Sequence, residues 1–185
     1  MSLLANVKTD VDVQEDGDRL GGGGPLDSGL YHCKVSMAYE TESKGGAVGL
    51  ALHLATDAGR ELRQTLWLTS GTKKGRLPYF ETKTGERRWL PGYTLANHLA
   101  LMTVGKEIGE LDSEEKVINL WNRDSRSEQP TKVNVVTELL GQEILAGVMK
   151  RIVDRNVQND AGEYVPSGET REENEIDKFF HAATR

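Results

Sequence analysis

Hydrophobic and polar positions alternate most clearly between residues 30 and 69. Tyr31, Cys33, Val35, Met37 and Tyr39 share one parity, and His32, Lys34 and Ser36 share the other, the signature of a half-buried strand. After Ser43-Lys44-Gly45-Gly46, a second strand sets Val48, Leu50, Leu52 and Leu54 against Gly49, Ala51, His53 and Ala55. One of its faces is therefore bulky and the other small. Asp57-Ala58-Gly59 predicts a hairpin turn. A third strand over 60–69 points Leu62, Leu66 and Leu68 one way and Arg63, Thr65 and Trp67 the other.

The alternation stops at Ser70. Residues 70–88 are long, basic and interrupted by Gly and Pro, a kind of loop that is often functional in a compact domain. Pro91-Gly92 ends it. Leu95, Leu99 and Met102 then predict a helix over 94–104, with Gly105 as its cap. Asp112 or Ser113 offers the start of another helical turn, and 123–130 reads as a polar loop. Strands return over 132–136 and 143–157. For the latter a helix is the competing reading, but Gly147 costs a helix about 1 kcal/mol, and Val148, Ile152 and Val153 favour a strand. Asn159-Asp160-Ala161-Gly162 is a turn, and 163–166 a brief return strand.

Three meander strands, a helix and two further strands give a mainly β fold class. The order is that of a five-stranded OB-fold barrel with one helix between strands three and four, plus a long basic insertion. The expected organisation is an acidic, Gly-rich arm over 1–28, a barrel domain over 29–166 and a polar acidic tail over 167–185.

Charge sharpens this picture. The 185 residues carry a net charge of −6, yet residues 60–90 hold eight bases and three acids. Four of the eleven aromatic residues also fall between 63 and 89. Single strands present phosphates to cations and unpaired bases to aromatic rings. Arg63, Trp67, Lys73, Lys74, Arg76, Tyr79, Phe80, Arg87, Arg88 and Trp89 are therefore the candidate DNA-binding residues. A packing role is the alternative for each ring. Trp121, Tyr31 and Tyr39 are expected in the core.

Other chemistries find less support. His32, His53, His98 and His181 have no metal-ligand spacing. Gly21 to Gly24 lack the Lys-Ser/Thr of a phosphate-binding loop. Asp10, Asp12, Asp16 and Asp18 are the carboxylates a metal-dependent nuclease would need, but they lie in the arm. No metal or cofactor is expected, and no catalysis. A lone cysteine, Cys33, suits a strand core in a reducing compartment. No basic stretch leads into an apolar one at the N-terminus, and no apolar run is long enough to span a bilayer, so a cytoplasmic, membrane-free protein is expected. The pattern sets no oligomeric state.

Three stretches of the C-terminal half resemble bacteriophage single-stranded-DNA-binding proteins of the OB-fold type. They are Val135-Val136-Thr137-Glu138-Leu139-Leu140-Gly141-Gln142-Glu143, Asn159-Asp160-Ala161-Gly162-Glu163-Tyr164-Val165-Pro166 and Asn174-Glu175-Ile176-Asp177-Lys178-Phe179-Phe180-His181. The resemblance implies an OB barrel, sequence-tolerant binding of single-stranded DNA, and service in phage replication or recombination. It also implies an acidic tail that recruits replication or recombination proteins, with Phe179 and Phe180 as its partner-binding tip. The chain ends Ala182-Ala183-Thr184-Arg185, so such a tail would work internally or have lost its acidic end. A phage interaction or structural module built on the same tip is the second reading.

Overall fold

The computed structural model describes residues 24–122, 125–158 and 164–183. In chain order the elements are β1 (Gly29–Glu42), β2 (Val48–Thr56), β3 (Glu61–Trp67), β4 (Tyr79–Glu81), β5 (Arg87–Trp89), α1 (Pro91–Thr103), β6 (Ser113–Asn122), β7 (Ser127–Val136), β8 (Glu143–Gln158) and β9 (Tyr164–His181). The protein is mainly β, as the alternation predicts. The carboxylates expected at 10–18 and the turn at 159–162 lie outside the described residues.

Seven strands form one antiparallel sheet. Five run side by side in the order β3-β2-β1-β7-β6, and β8 pairs with both β1 and β9. β4 and β5 form a separate hairpin. The centre of the sheet is β1. One edge of it pairs with β2 from Cys33 to Glu42. Its other edge is divided, with Gly29 to Lys34 against β8 and Tyr39 against Val135 of β7.

A register shift between Val35 and Met37 accompanies this fork. A bulge inserts one residue and flips the side-chain parity beyond it. Cys33 and Val35 are buried before the shift, and Ala38 after it. The uninterrupted parity expected from sequence therefore fails here. Met37 and Tyr39 are only half-buried, on the face opposite the core.

The core gathers Leu50, Leu52 and Leu54 of β2, Leu62 and Leu66 of β3, Leu99 of α1, Leu139, and Ile144 of β8. Burying each such side chain contributes about 1.5–3 kcal/mol. α1 packs its buried Ala96, Leu99 and Ala100 toward β3, β8 and β9. The helix starts at Pro91, before the expected Thr94, because a proline is well placed in a first helical turn.

The sheet does not close into a barrel, and it has seven strands where five were expected. No ladder joins β3 to β9. A side chain spans the gap instead, with the Ile176 N–H donating to Oε1 of Gln64 at 2.7 Å. The added strands are β9, expected only as a brief return at 163–166, and β6, where the sequence suggested a helical turn; β6 pairs with β7, expected over 132–136 but beginning at Ser127 inside the expected polar loop. The ten-residue β6–β7 ladder runs from Ser113↔Val136 to Asn122↔Ser127. Pro130 fits because β7 meets β1 only near Val135, leaving that end of β7 with an unpaired edge. Trp121, expected in the core, is 66 % exposed on this ribbon.

The polar tail read over 167–185 is also strand as far as His181, paired along β8. Cross-strand ion pairs explain its polarity, among them Lys150–Glu172 at 2.9 Å, Arg151–Glu175 at 2.5 Å and Arg155–Glu169 at 3.1 Å. Closer to the core, Ile176 and Phe179 are buried. The Phe179 ring is 4 % exposed and so belongs to the core, not to a partner-binding tip; Phe180 beside it is exposed.

Candidate nucleic-acid interface

The outer face of β1, β2 and β3 has a floor of small side chains. The ladders set Tyr39 and Thr65 on either side of Ala51, Met37 and Arg63 on either side of His53, and Thr41 and Trp67 on either side of Gly49. Gly49 is required by close approach, since a Cβ there would lie 2.8 Å from the Trp67 indole. The small parity of β2 thus forms a shallow bed against which Trp67 rests, with 41 % of the residue still exposed.

His53 and Tyr39 meet edge to face at 5.9 Å. His53 Nδ1 lies 3.3 Å from Glu61, which also pairs with Arg63 at 2.6 Å. Burial pushes the His53 imidazole below its ordinary value; Arg63 adds to the shift and Glu61 opposes it. Burial likewise raises the Tyr39 phenol, with Arg63 opposing.

The insertion is anchored rather than loose. Thr72 N–H donates to the Gly45 carbonyl at 2.9 Å, and Arg76 pairs with Glu42 at 2.5 Å, so the basic turn at 72–76 rests against the β1–β2 turn. Beyond it, β4 and β5 pair Tyr79 with Trp89, Phe80 with Arg88 and Glu81 with Arg87. Directly opposed residues share a face, so Tyr79, Trp89 and Arg87 lie together and Phe80 and Arg88 project from the other side.

The first face continues into α1. Trp89 stacks on Tyr93 with centroids 4.9 Å apart and planes inclined by 25°, and meets Tyr79 edge to face at 6.3 Å. The Arg87 guanidinium lies 5.1 Å from the Tyr79 ring centre. Arg87, Tyr79, Trp89 and Tyr93 therefore form a continuous cation–aromatic series, with Trp89 56 % exposed. Gly92 joins the series to β3, because a Cβ at that position would lie 2.4 Å from the Trp67 carbonyl oxygen.

Between these parts opens a groove of about 1140 Å³. Trp67, Lys44, Lys73 and Lys74 line it together with Leu95 and Ile176, and Glu42, Glu175 and Asp177 bring acidic groups to its rim. Arg63, Arg76, Arg87 and Arg88 each have a carboxylate partner, the last two being Glu81 at 3.9 Å and Glu86 at 3.1 Å. Lys73 and Lys74 make no ion pair among the described residues. Exposed pairs of this kind contribute little, so an incoming phosphate can displace them at small cost.

Of the ten candidate residues, the fold brings Trp67, Lys73 and Lys74 to the groove, and Tyr79, Arg87 and Trp89 to the adjoining series. Arg63 sits on the outer sheet face, Arg76 tethers the turn, and Phe80 and Arg88 point from the opposite side of the hairpin. Two rings escaped the sequence reading. Tyr93 was detectable from its spacing of four from Trp89 across a helix start. Tyr39 was hidden by the bulge.

Among the described residues, no group of three or more His, Cys, Asp or Glu side chains is placed to hold a metal, and no helix is long and apolar enough to cross a membrane. Cys33 is buried, and burial pushes its thiol up to about 11. No protein-family model matches the chain, and no curated protein matches it. Side-chain chemistry and strand order therefore carry the functional reading.

Proposed function

We propose that this protein binds single-stranded DNA without catalysing a reaction, and that it serves phage DNA replication or recombination. The observation that carries the reading is that Trp67 and Trp89 are both open to solvent and are joined through Gly92, beside Lys73 and Lys74, which have no ion-pair partner among the described residues. Rings supply stacking of about 1–3 kcal/mol per base. Cations supply a salt-dependent, sequence-independent attraction for phosphates.

Strand order supports an OB-type frame. Without the β6–β7 and β4–β5 hairpins, the order is β3-β2-β1-β8-β9, with β3 and β9 facing across a gap bridged by Gln64. OB folds bind oligonucleotides on the face of strands two and three and on the neighbouring loops. Here that face carries Tyr39, His53, Arg63 and Trp67, and the neighbouring turn carries the lysines.

Titrating the protein with oligo-dT while following tryptophan fluorescence tests the reading. Quenching that weakens as salt rises, with duplex DNA a poorer ligand, is the expected result. Trp67→Ala combined with Trp89→Ala costs about 1–3 kcal/mol for each lost stack, while Trp121→Ala leaves affinity unchanged. Equal affinity in the double variant, or preference for duplex, overturns the proposal.

A further inference from the structure

The β6–β7 ribbon carries apolar side chains on both faces. Val117 and Trp121 are 61 % and 66 % exposed on one face, and Ile118 and Leu120 are half-buried on the other. No other described strand pairs with the far edge of β6. Long edge strands in natural proteins are commonly blunted by a proline, a bulge or a central charge. β6 has no proline, and its ladder with β7 has no register shift. Its charges, Glu114, Glu115 and Lys116, all lie in its first four residues.

The order Val117-Ile118-Asn119-Leu120-Trp121 is symmetric in character about Asn119. An antiparallel pairing centred there sets Val117 opposite Trp121 of the partner subunit, and Ile118 opposite Leu120 of the partner subunit. Each contact then occurs twice, as an isologous interface requires. Opposed residues keep the same face, so both apolar stripes continue across the junction. In this register Glu114 and Glu115 face neither themselves nor each other. Moving the centre to Val117 or Ile118 would instead set a glutamate opposite Leu120 or Trp121. Side-chain pattern and charge placement thus select one occupant and one register.

We propose that β6 is the edge through which two copies of this chain pair, antiparallel, about a two-fold axis at Asn119. Two seven-stranded sheets thereby become one continuous sheet.

The test uses the full chain. Light scattering across a concentration series shows a species of twice the chain mass. Directly opposed residues have Cα atoms about 4.5–5.5 Å apart, within reach of a disulfide. Asn119→Cys therefore forms a covalent dimer under mild oxidation, whereas Glu128→Cys on β7 does not; the native Cys33 is fully buried and does not compete. Val117→Lys with Trp121→Lys retains the wild-type circular dichroism and weakens dimerisation at least tenfold, since both side chains are largely exposed in the single copy. A monomer at every concentration, equal cross-linking by the two cysteine variants, or an undiminished dimer in the lysine variant overturns the proposal.

Discussion

β2 carries two chemistries back to back. Its inward residues Leu50, Leu52 and Leu54 are sealed within the core, while its outward residues Gly49, Ala51 and His53 form a low floor beside Tyr39, Arg63 and Trp67. The inner face needs volume, because apolar area removed from water stabilises the fold. The outer face needs the lack of volume, because a bulky side chain at Gly49 would displace the indole. Stability and recognition are thus assigned to alternate residues of one strand, and substitutions on either side should separate them.

The largest expected effect is on the inner face. Leu52→Ala removes packed volume from a fully buried site and should destabilise the fold by about 2–5 kcal/mol, read by denaturant unfolding, while the folded fraction keeps its oligonucleotide affinity. Loss of affinity at unchanged stability would erase the division between the faces.

A smaller effect is expected at the groove. Lys73→Ala with Lys74→Ala should leave stability within about 0.5 kcal/mol yet weaken binding. The slope of log affinity against log salt should fall by about 0.7 for each lost phosphate contact. An unaltered slope would remove both lysines from the interface.

The smallest effect concerns pH. The folded His53 has its proton affinity lowered, chiefly by burial. As pH falls below about 6.5, the unfolded chain takes up this proton before the folded chain does, so stability declines and then levels once the folded group is also protonated. His53→Gln should flatten that decline in thermal melts recorded across pH 5 to 8. A decline of equal depth in the variant would assign it to other groups.

The meander was legible because β1, β2 and β3 each have one buried face, which writes a period of two into the sequence. The core leucines of β2 and the turn at Asp57-Ala58-Gly59 follow directly from it. β6, the first half of β7 and distal β9 were not legible, for the opposite reason: both of their faces meet solvent. Glu172 and Arg171 sit in a strand because Ile152 and Val153 lie across from them, a fact that no local window contains. Trp121 was misjudged for the same reason, since a large ring in such a ribbon has no interior to enter. In the candidate interface, the clustering of Trp67, Lys73, Lys74 and Trp89 was visible as composition. The separation of Phe80 and Arg88 from Tyr79 and Trp89 required the hairpin register. Phe179 joined the core through a register shift between Gly147 and Val148 on the paired strand.

The divided edge of β1 also bears on how the chain is made. Gly29 finds its neighbour at Val148, about 120 residues further along. At a synthesis rate of about 5–20 residues per second, the first three strands, complete at Trp67, precede that neighbour by roughly 4–16 s. During this interval the nascent meander has one edge of its central strand unsatisfied. Distant pairings of this kind also slow folding, so the newborn chain depends on completing its C-terminal half before that edge meets another nascent chain.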